Sequence, residues 1–126
     1  MPYKNSGVKG GLYVLNTVTF TWYYINSVVG DIDLLKRSGA GCIRSNDQSL
    51  VICGGNHYTK TDVIKLSLED ILIVKLNTST MSATIQRITI PITEPPGWTK
   101  KMSSFAMSNF GANLVICGIV FFKTCI

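Results

Sequence analysis

One part of this chain is written twice. Leu50-Val51-Ile52-Cys53-Gly54 recurs identically as Leu114-Val115-Ile116-Cys117-Gly118. The likeness extends over SNDQSLVICGG (Ser45 to Gly55) and NFGANLVICGI (Asn109 to Ile119), and upstream Arg37 meets Lys101. A second pair is interleaved with the first. LYVLNTVTFTW (Leu12 to Trp22) aligns with ILIVKLNTSTMSA (Ile71 to Ala83), placing Leu15-Asn16-Thr17 on Leu76-Asn77-Thr78 and Thr19 on Thr80. Chance gives one five-residue match far more readily than two matches in consistent order. A period of about 60 residues is the mark of a repeat architecture, in which each unit buries its apolar face only against its neighbours.

The repeated pieces read as strands. Val18, Phe20 and Trp22 alternate with Thr17, Thr19 and Thr21, and Thr84 to Ile90 alternates in the same way, the period of two expected of an extended chain. LVIC is a short β-branched run stopped by glycine. Asn16-Thr17 and Asn77-Thr78-Ser79 are turn-formers. Pro91 and then Pro95-Pro96-Gly97 end the strand before them. Gly39 and Gly41 suit a strand whose backbone packs closely on a neighbour. Asp62 to Asp70 is the one segment that fits either a short helix or an extended run, through Val63, Ile64, Leu66 and Leu68.

Composition agrees with a packed β domain. Apolar residues make up 46% and charged residues 15%, which excludes a solvated disordered chain. Lys and Arg number 12 against 7 Asp and Glu, for a net charge of +5. The basic residues are scattered apart from Lys36-Arg37 and Lys100-Lys101, a pattern that predicts a solvated surface and no nucleic-acid partner. Gly10 to Gly30 and Met102 to Phe122 carry no charge, and each is long enough to cross a bilayer as a helix of about 20 residues. Both are rich in Ser, Thr and Asn, which weakens insertion. A small membrane protein with two spans is therefore the minor reading, and no membrane partner is expected. Cys42, Cys53, Cys117 and Cys125 show no C-x-x-C spacing and His57 is the one histidine, so zinc is not expected. Cys53 and Cys117 lie in apolar runs, where a free thiol acts as a small hydrophobe; reduced core thiols suggest a cytoplasmic location.

These residues resemble kelch repeats, of the kelch and galactose-oxidase type of β-propeller. RSGAGCIRSNDQSLVICGG (Arg37 to Gly55) looks like the first two strands of a kelch blade with their double glycine. LYVLNTVTFTW looks like strands three and four, with Tyr13 and Trp22 at the aromatic positions. The resemblance covers most of the chain, at a period of about 60 where kelch repeats run about 50. Ala83 stands where Trp22 would align, the second double glycine is Gly118-Ile119, and IVFFKTCI departs from the expected continuation.

The resemblance implies an all-β fold, an incomplete kelch-like β-propeller built of four-stranded antiparallel blades. Residues 10–27 supply a half blade, 36–92 a full blade with its third strand at 62–68 or 71–77, 101–119 another half blade, and 120–126 a tail. Closed propellers have about four to eight blades. The expected partners are thus another protein and either further repeats or copies of the same chain to close the ring. Leu114 to Cys117 should lie beside Leu12 to Leu15, within one chain or between chains, because an unpaired edge invites association.

The same resemblance frames the chemistry. Galactose-oxidase copper chemistry needs two histidines, and this chain has His57 alone, so a partial or inactive relative of that enzyme is the alternative and no cofactor is expected. A Ser-His-Asp arrangement would need Asp47 or Asp62 beside His57. Gly54-Gly55-Asn56 follows a strand but lacks G-x-x-x-x-G-K, so it predicts a tight exit and no nucleotide site. Trp22, Tyr23 and Tyr24 suit packing between adjacent blades better than a stacking platform for a ligand. In a four-stranded meander the connections alternate between the two ends, so Asn56 to Glu69 and Pro91 to Lys100, the long ones, share one face. Long loops on rigid scaffolds carry function. The reading is a non-catalytic protein-interaction module whose binding residues are His57, Tyr58, Lys60, Trp98 and Lys100.

Overall fold

Asparagine sets the first hairpin. In the computed structural model, which describes residues 11–46, 48–93 and 100–117, the Asn16 carboxamide oxygen accepts the backbone N–H of Val18 at 2.9 Å and of Thr19 at 3.1 Å. Phe20 takes a left-handed φ of 55° to finish the turn. Strands β1 (Tyr13–Asn16) and β2 (Thr21–Tyr24) then pair antiparallel, Tyr13 opposite Tyr24 and Leu15 opposite Trp22. Val18 and Phe20 therefore lie in the turn, not in the strand that their alternation with threonine predicts. The side chain of Asn16 captures the N–H groups that a longer ladder would use. Asp47, Trp98, Cys125, Gly118-Ile119 and the tail lie outside the described residues.

The central element is a five-stranded sheet. Strands β5 (Gly41–Asn46), β6 (Ser49–Cys53), β9 (Asp70–Asn77) and β10 (Ser82–Thr89) form an antiparallel meander in chain order, and β3 (Ser27–Val29) adds a short parallel edge beyond β10. The third strand of the meander is thus Asp70–Asn77. Val63–Lys65 is instead β8, which joins β4 (Arg37–Ser38) and β7 (Asn56–Tyr58) in a separate three-stranded sheet. The only helix among the described residues is one 3-10 turn at Ile32–Leu35, started by the Asp31 carboxylate accepting the Asp33 N–H at 2.9 Å. It is not at Asp62 to Asp70, where β8 pairing and the Thr59 hydroxyl, which accepts the Asp62 N–H at 2.9 Å, hold the chain extended and turned.

Side-chain alternation gives the sheet two apolar faces. One carries Leu50, Ile52, Leu72, Val74, Leu76, Ala83 and Ile85. Leu72 and Val74 are fully buried there with Ile25, which follows β2. The β1–β2 hairpin covers this face through Leu12 and Val14. Each such buried aliphatic side chain contributes about 1.5–3 kcal/mol. The opposite face carries the buried Ile43 and Cys53. It is covered in part by a second hairpin, β11 (Ala106–Phe110) and β12 (Asn113–Cys117), which pair antiparallel with Ala106 opposite Cys117. The Cys53 thiol points at the Met107 sulfur, 3.4 Å away, and the Asn109 carboxamide donates to the Arg44 carbonyl at 3.0 Å. Gly41 permits a close approach, since a Cβ there would sit 2.5 Å from the Phe105 ring.

The described residues are therefore all-β, with three stacked layers, hairpin, sheet and hairpin, beside the small β4–β7–β8 sheet. The two hairpins are separate two-stranded sheets on opposite faces of the central one. Within the chain, Leu114 to Cys117 does not lie beside Leu12 to Leu15, because packing on Ile25 and on Gly41 holds the two apart. Among the described residues no helix is long and apolar enough to cross a membrane; strands occupy the described parts of both uncharged stretches.

Candidate functional site

The double glycine organises one end of the central sheet. Gly54 and Gly55 both take left-handed φ, 67° and 85°. A Cβ on Gly55 would come within 2.8 Å of the Ser38 carbonyl and the Ala40 nitrogen. Only glycine turns the chain here without strain, and the turn sends β7 back across β4. Arg37 lines the inside of this corner. Its guanidinium donates to the Leu34 carbonyl at 2.8 Å and reaches the Gly54 carbonyl at 3.5 Å. Burial pulls its pKa below the ordinary value, while the charge of Asp70 acts the other way.

His57 and Tyr58 are neighbours on β7. The His57 Nδ1 lies 3.1 Å from the Lys36 carbonyl. A carbonyl only accepts, so in this bond Nδ1 carries the proton. That nitrogen is the one a catalytic triad would turn toward a carboxylate such as Asp62, and the backbone occupies it. The Tyr58 hydroxyl shares a 2.6 Å hydrogen bond with the Ser38 hydroxyl, and the Tyr58 N–H donates to the Lys36 carbonyl at 3.0 Å. Lys60 is exposed in the turn between β7 and β8.

Lys100 arrives from the other long connection. Its ammonium meets the Glu69 carboxylate at 2.8 Å, and its carbonyl accepts the Leu68 N–H at 2.7 Å. Glu69 also accepts the Ile92 N–H at 2.7 Å and sits 3.4 Å from the Ser67 hydroxyl. The Lys100 hydrogen bond first, then that from the Ile92 N–H, holds the Glu69 carboxyl below the usual carboxylate range. One acidic side chain thus ties the start of β9, the chain leaving β10 and the approach to β11. A bridge between Ser67 and Lys101, and the Gly55 N–H donating to the Met102 carbonyl at 2.8 Å, extend the same seam.

The structure therefore brings the first long connection and the described ends of the second, Pro91 to Ile92 and Lys100, to the same end of the sheet, with His57, Tyr58 and Lys60 on the β7–β8 arm and Lys100 anchored at the base of β9. Trp98 lies outside the described residues. Sequence reasoning missed Glu69 and Arg37. Nothing in the composition of Ser67 to Asp70 marks Glu69 as a hub. Arg37 stood out only as the basic start of a repeat. Beside Arg37 a half-open cleft of about 290 Å³ is lined by Gly11, Leu12, Leu35, Gly39, Ala40, Cys42 and Ile52. No three His, Cys, Asp or Glu side chains gather into a metal-binding group among the described residues. No protein-family model matches the chain, and no curated protein matches it either.

Proposed function

We propose that this chain is a non-catalytic protein-interaction module built of kelch-like propeller blades, with β5, β6, β9 and β10 as its one full blade. The observation that carries the reading is the stack. A four-stranded meander has a copy of its second hairpin packed on one face and a copy of its first hairpin on the other, the relation that successive blades hold in a propeller. The contacting face is the end that carries the long connections. It offers the His57 imidazole and the Tyr58 phenol on β7 and the exposed ammonium of Lys60 in the β7–β8 turn; Lys100 and Trp98 belong by sequence to the second connection. This mixture of aromatic and cationic groups suits an acidic or mixed protein surface.

The test is partner capture by photo-crosslinking from a group placed at Thr61. Alanine at His57, Tyr58, Lys60, Trp98 and Lys100 together should abolish the captured species. Alanine at Thr78 and Ser79, at the far end of the sheet, should leave it in place. Capture that survives the five-residue variant overturns the assignment of this face.

A further inference from the structure

Each outer hairpin repeats one half of the central sheet, and among the described residues the two do not pair with each other. β1–β2 corresponds to β9–β10: Asn77 accepts the Ser79 and Thr80 N–H groups at 3.0 and 3.2 Å, as Asn16 does with Val18 and Thr19, and Met81 repeats the left-handed φ of Phe20 at 49°. β11–β12 corresponds to β5–β6 through the repeated Leu-Val-Ile-Cys. The first copy has a register shift at Ser45 that the second lacks, and the residues next to the turn pair alike, Asn46 with Ser49 and Phe110 with Asn113. In the central sheet the two kinds of hairpin are joined by β6 and β9, Leu50 opposite Val74 and Ser49 opposite Lys75, with the Leu76 N–H donating to the Gln48 carbonyl at 2.7 Å. Among the described residues β12 and β1 pair only within their own hairpins.

We propose that a second copy of this chain docks head to tail, β12 of one copy pairing with β1 of the next in the register that joins β6 to β9. Transferred by the repeat, that register sets Leu114 opposite Tyr13 and Asn113 opposite Val14, with the Leu15 N–H donating to the Ala112 carbonyl. The inference rests on the blade reading above but not on the contacting face.

Two observations name a copy of this chain as the occupant. The first is the outer face of β1–β2. Tyr13, Leu15, Trp22 and Tyr24 are 68%, 37%, 65% and 49% exposed. Their counterparts in the central sheet are Val74, Leu76, Ala83 and Ile85, which face the covered core. The same side of the same hairpin is thus covered in one repeat and bare in the other. A β12–β1 junction carries the bare side onto the second face of the neighbouring copy's β9–β10, where Ile71, Ile73 and Ile88 are only half-buried. The second observation is the cleft beside Arg37. It runs along Gly11 and Leu12, at the start of β1, and over Cys42 and Ile52. Leu35, Arg37, Gly39 and Ala40 close its other side, so this cleft is the opening left beside the start of β1, on the side from which an incoming β12 would approach. The contact is heterologous, so it must close a ring or run on. Two copies would give four sheets and three would give six, both within the range of closed propellers.

The bond from Leu76 to Gln48 marks a hydrogen-bonded pair, so the next pair, Ser49 with Lys75, is of the close type with Cα atoms about 4.5 Å apart. Its counterpart, Asn113 with Val14, falls within disulfide reach. The experiment mixes a Val14→Cys chain with an Asn113→Cys chain under mild oxidation, so that the engineered bond can form only between copies. Peptide mapping should find residue 14 linked to residue 113. The unaltered chain should sediment at two or three times 13.8 kDa. Trp22→Asp, at an exposed site, should sediment at the single-chain mass with its circular dichroism unchanged. Absence of the 14–113 link in the mixture, a single-chain mass for the unaltered protein throughout a dilution series, or full assembly by Trp22→Asp overturns the proposal. Partner capture separates this from the contacting face: a monomer that still loses capture in the five-residue alanine variant sinks the ring alone.

Discussion

The hairpins β1–β2 and β9–β10 have the same turn and opposite surroundings. In both, an asparagine carboxamide holds two backbone N–H groups and a bulky residue completes the reversal in the left-handed region. Yet Val74 is fully buried while its counterpart Tyr13 is 68% exposed. Local sequence specifies the turn, and the turn specifies the register. Burial is specified by what stacks on the hairpin, which no residue within it encodes. The difference has an energetic consequence: identical local chemistry should matter to the whole fold in one copy and only to a surface layer in the other.

The largest expected effect comes from the apolar pair Ile85 and Tyr24. Ile85 is 9% exposed and belongs to the core cluster. Ile85→Ala should cost about 2–5 kcal/mol, the transfer term plus the cavity it leaves. Tyr24→Ala removes a ring that is 49% exposed and tilted against Tyr13 with centroids 5.0 Å apart. Measured at dilutions where the chain is single, it should cost about 1 kcal/mol or less. Equal losses in urea unfolding would mean that the outer panel is already covered within one chain, and the comparison would fail.

The turns give a smaller and sharper contrast. Asn77→Ala and Asn16→Ala each remove an acceptor for two N–H groups, worth about 1 kcal/mol. For Asn77 the loss should appear in global unfolding, because β9 and β10 are the middle of the sheet. For Asn16 it should appear as faster hydrogen exchange confined to β1 and β2, with the unfolding midpoint nearly unchanged, because outer layers open at lower free energy than the core. Global destabilisation by Asn16→Ala would show that the N-terminal hairpin unfolds with the sheet.

What the sequence made legible follows the same division. The repeat located both hairpin types, and the turn residues Asn16 and Asn77 fell at the turns. The strand class of LVIC was also readable, since it depends on neighbours within a few residues. The sequence does not choose between 62–68 and 71–77 for the third strand of the meander, because both are short apolar runs and only pairing with β6 or with β7 distinguishes them. For the candidate site the sequence offered loop length alone. Glu69 draws its role from Lys100 and the Ile92 N–H, more than twenty positions away, and local pattern carries no trace of such a partner. Trp22 suits packing between adjacent blades by its sequence, yet it is 65% exposed, because it stands on the side of β1–β2 opposite to Val14, the side turned away from the central sheet.

The smallest effect tests whether the two turns are strained alike. Phe20 and Met81 hold φ values of 55° and 49°, a region where a side chain crowds its own carbonyl at a cost of roughly 1–2 kcal/mol. Glycine removes that crowding but also loosens the unfolded chain, so the two terms partly cancel. Met81→Gly should therefore raise stability by about 0.5–1 kcal/mol, read as a higher urea midpoint, since β9–β10 must unfold with the core. Phe20→Gly relieves the same strain in a hairpin that frays separately, so it should slow exchange at Thr21 to Tyr24 and barely move the midpoint. Phe20 is 77% exposed, so little packing is lost with its ring and the backbone term dominates. A midpoint that rises equally in both variants would place the two hairpins in one cooperative unit, and their difference in burial would then carry no difference in stability.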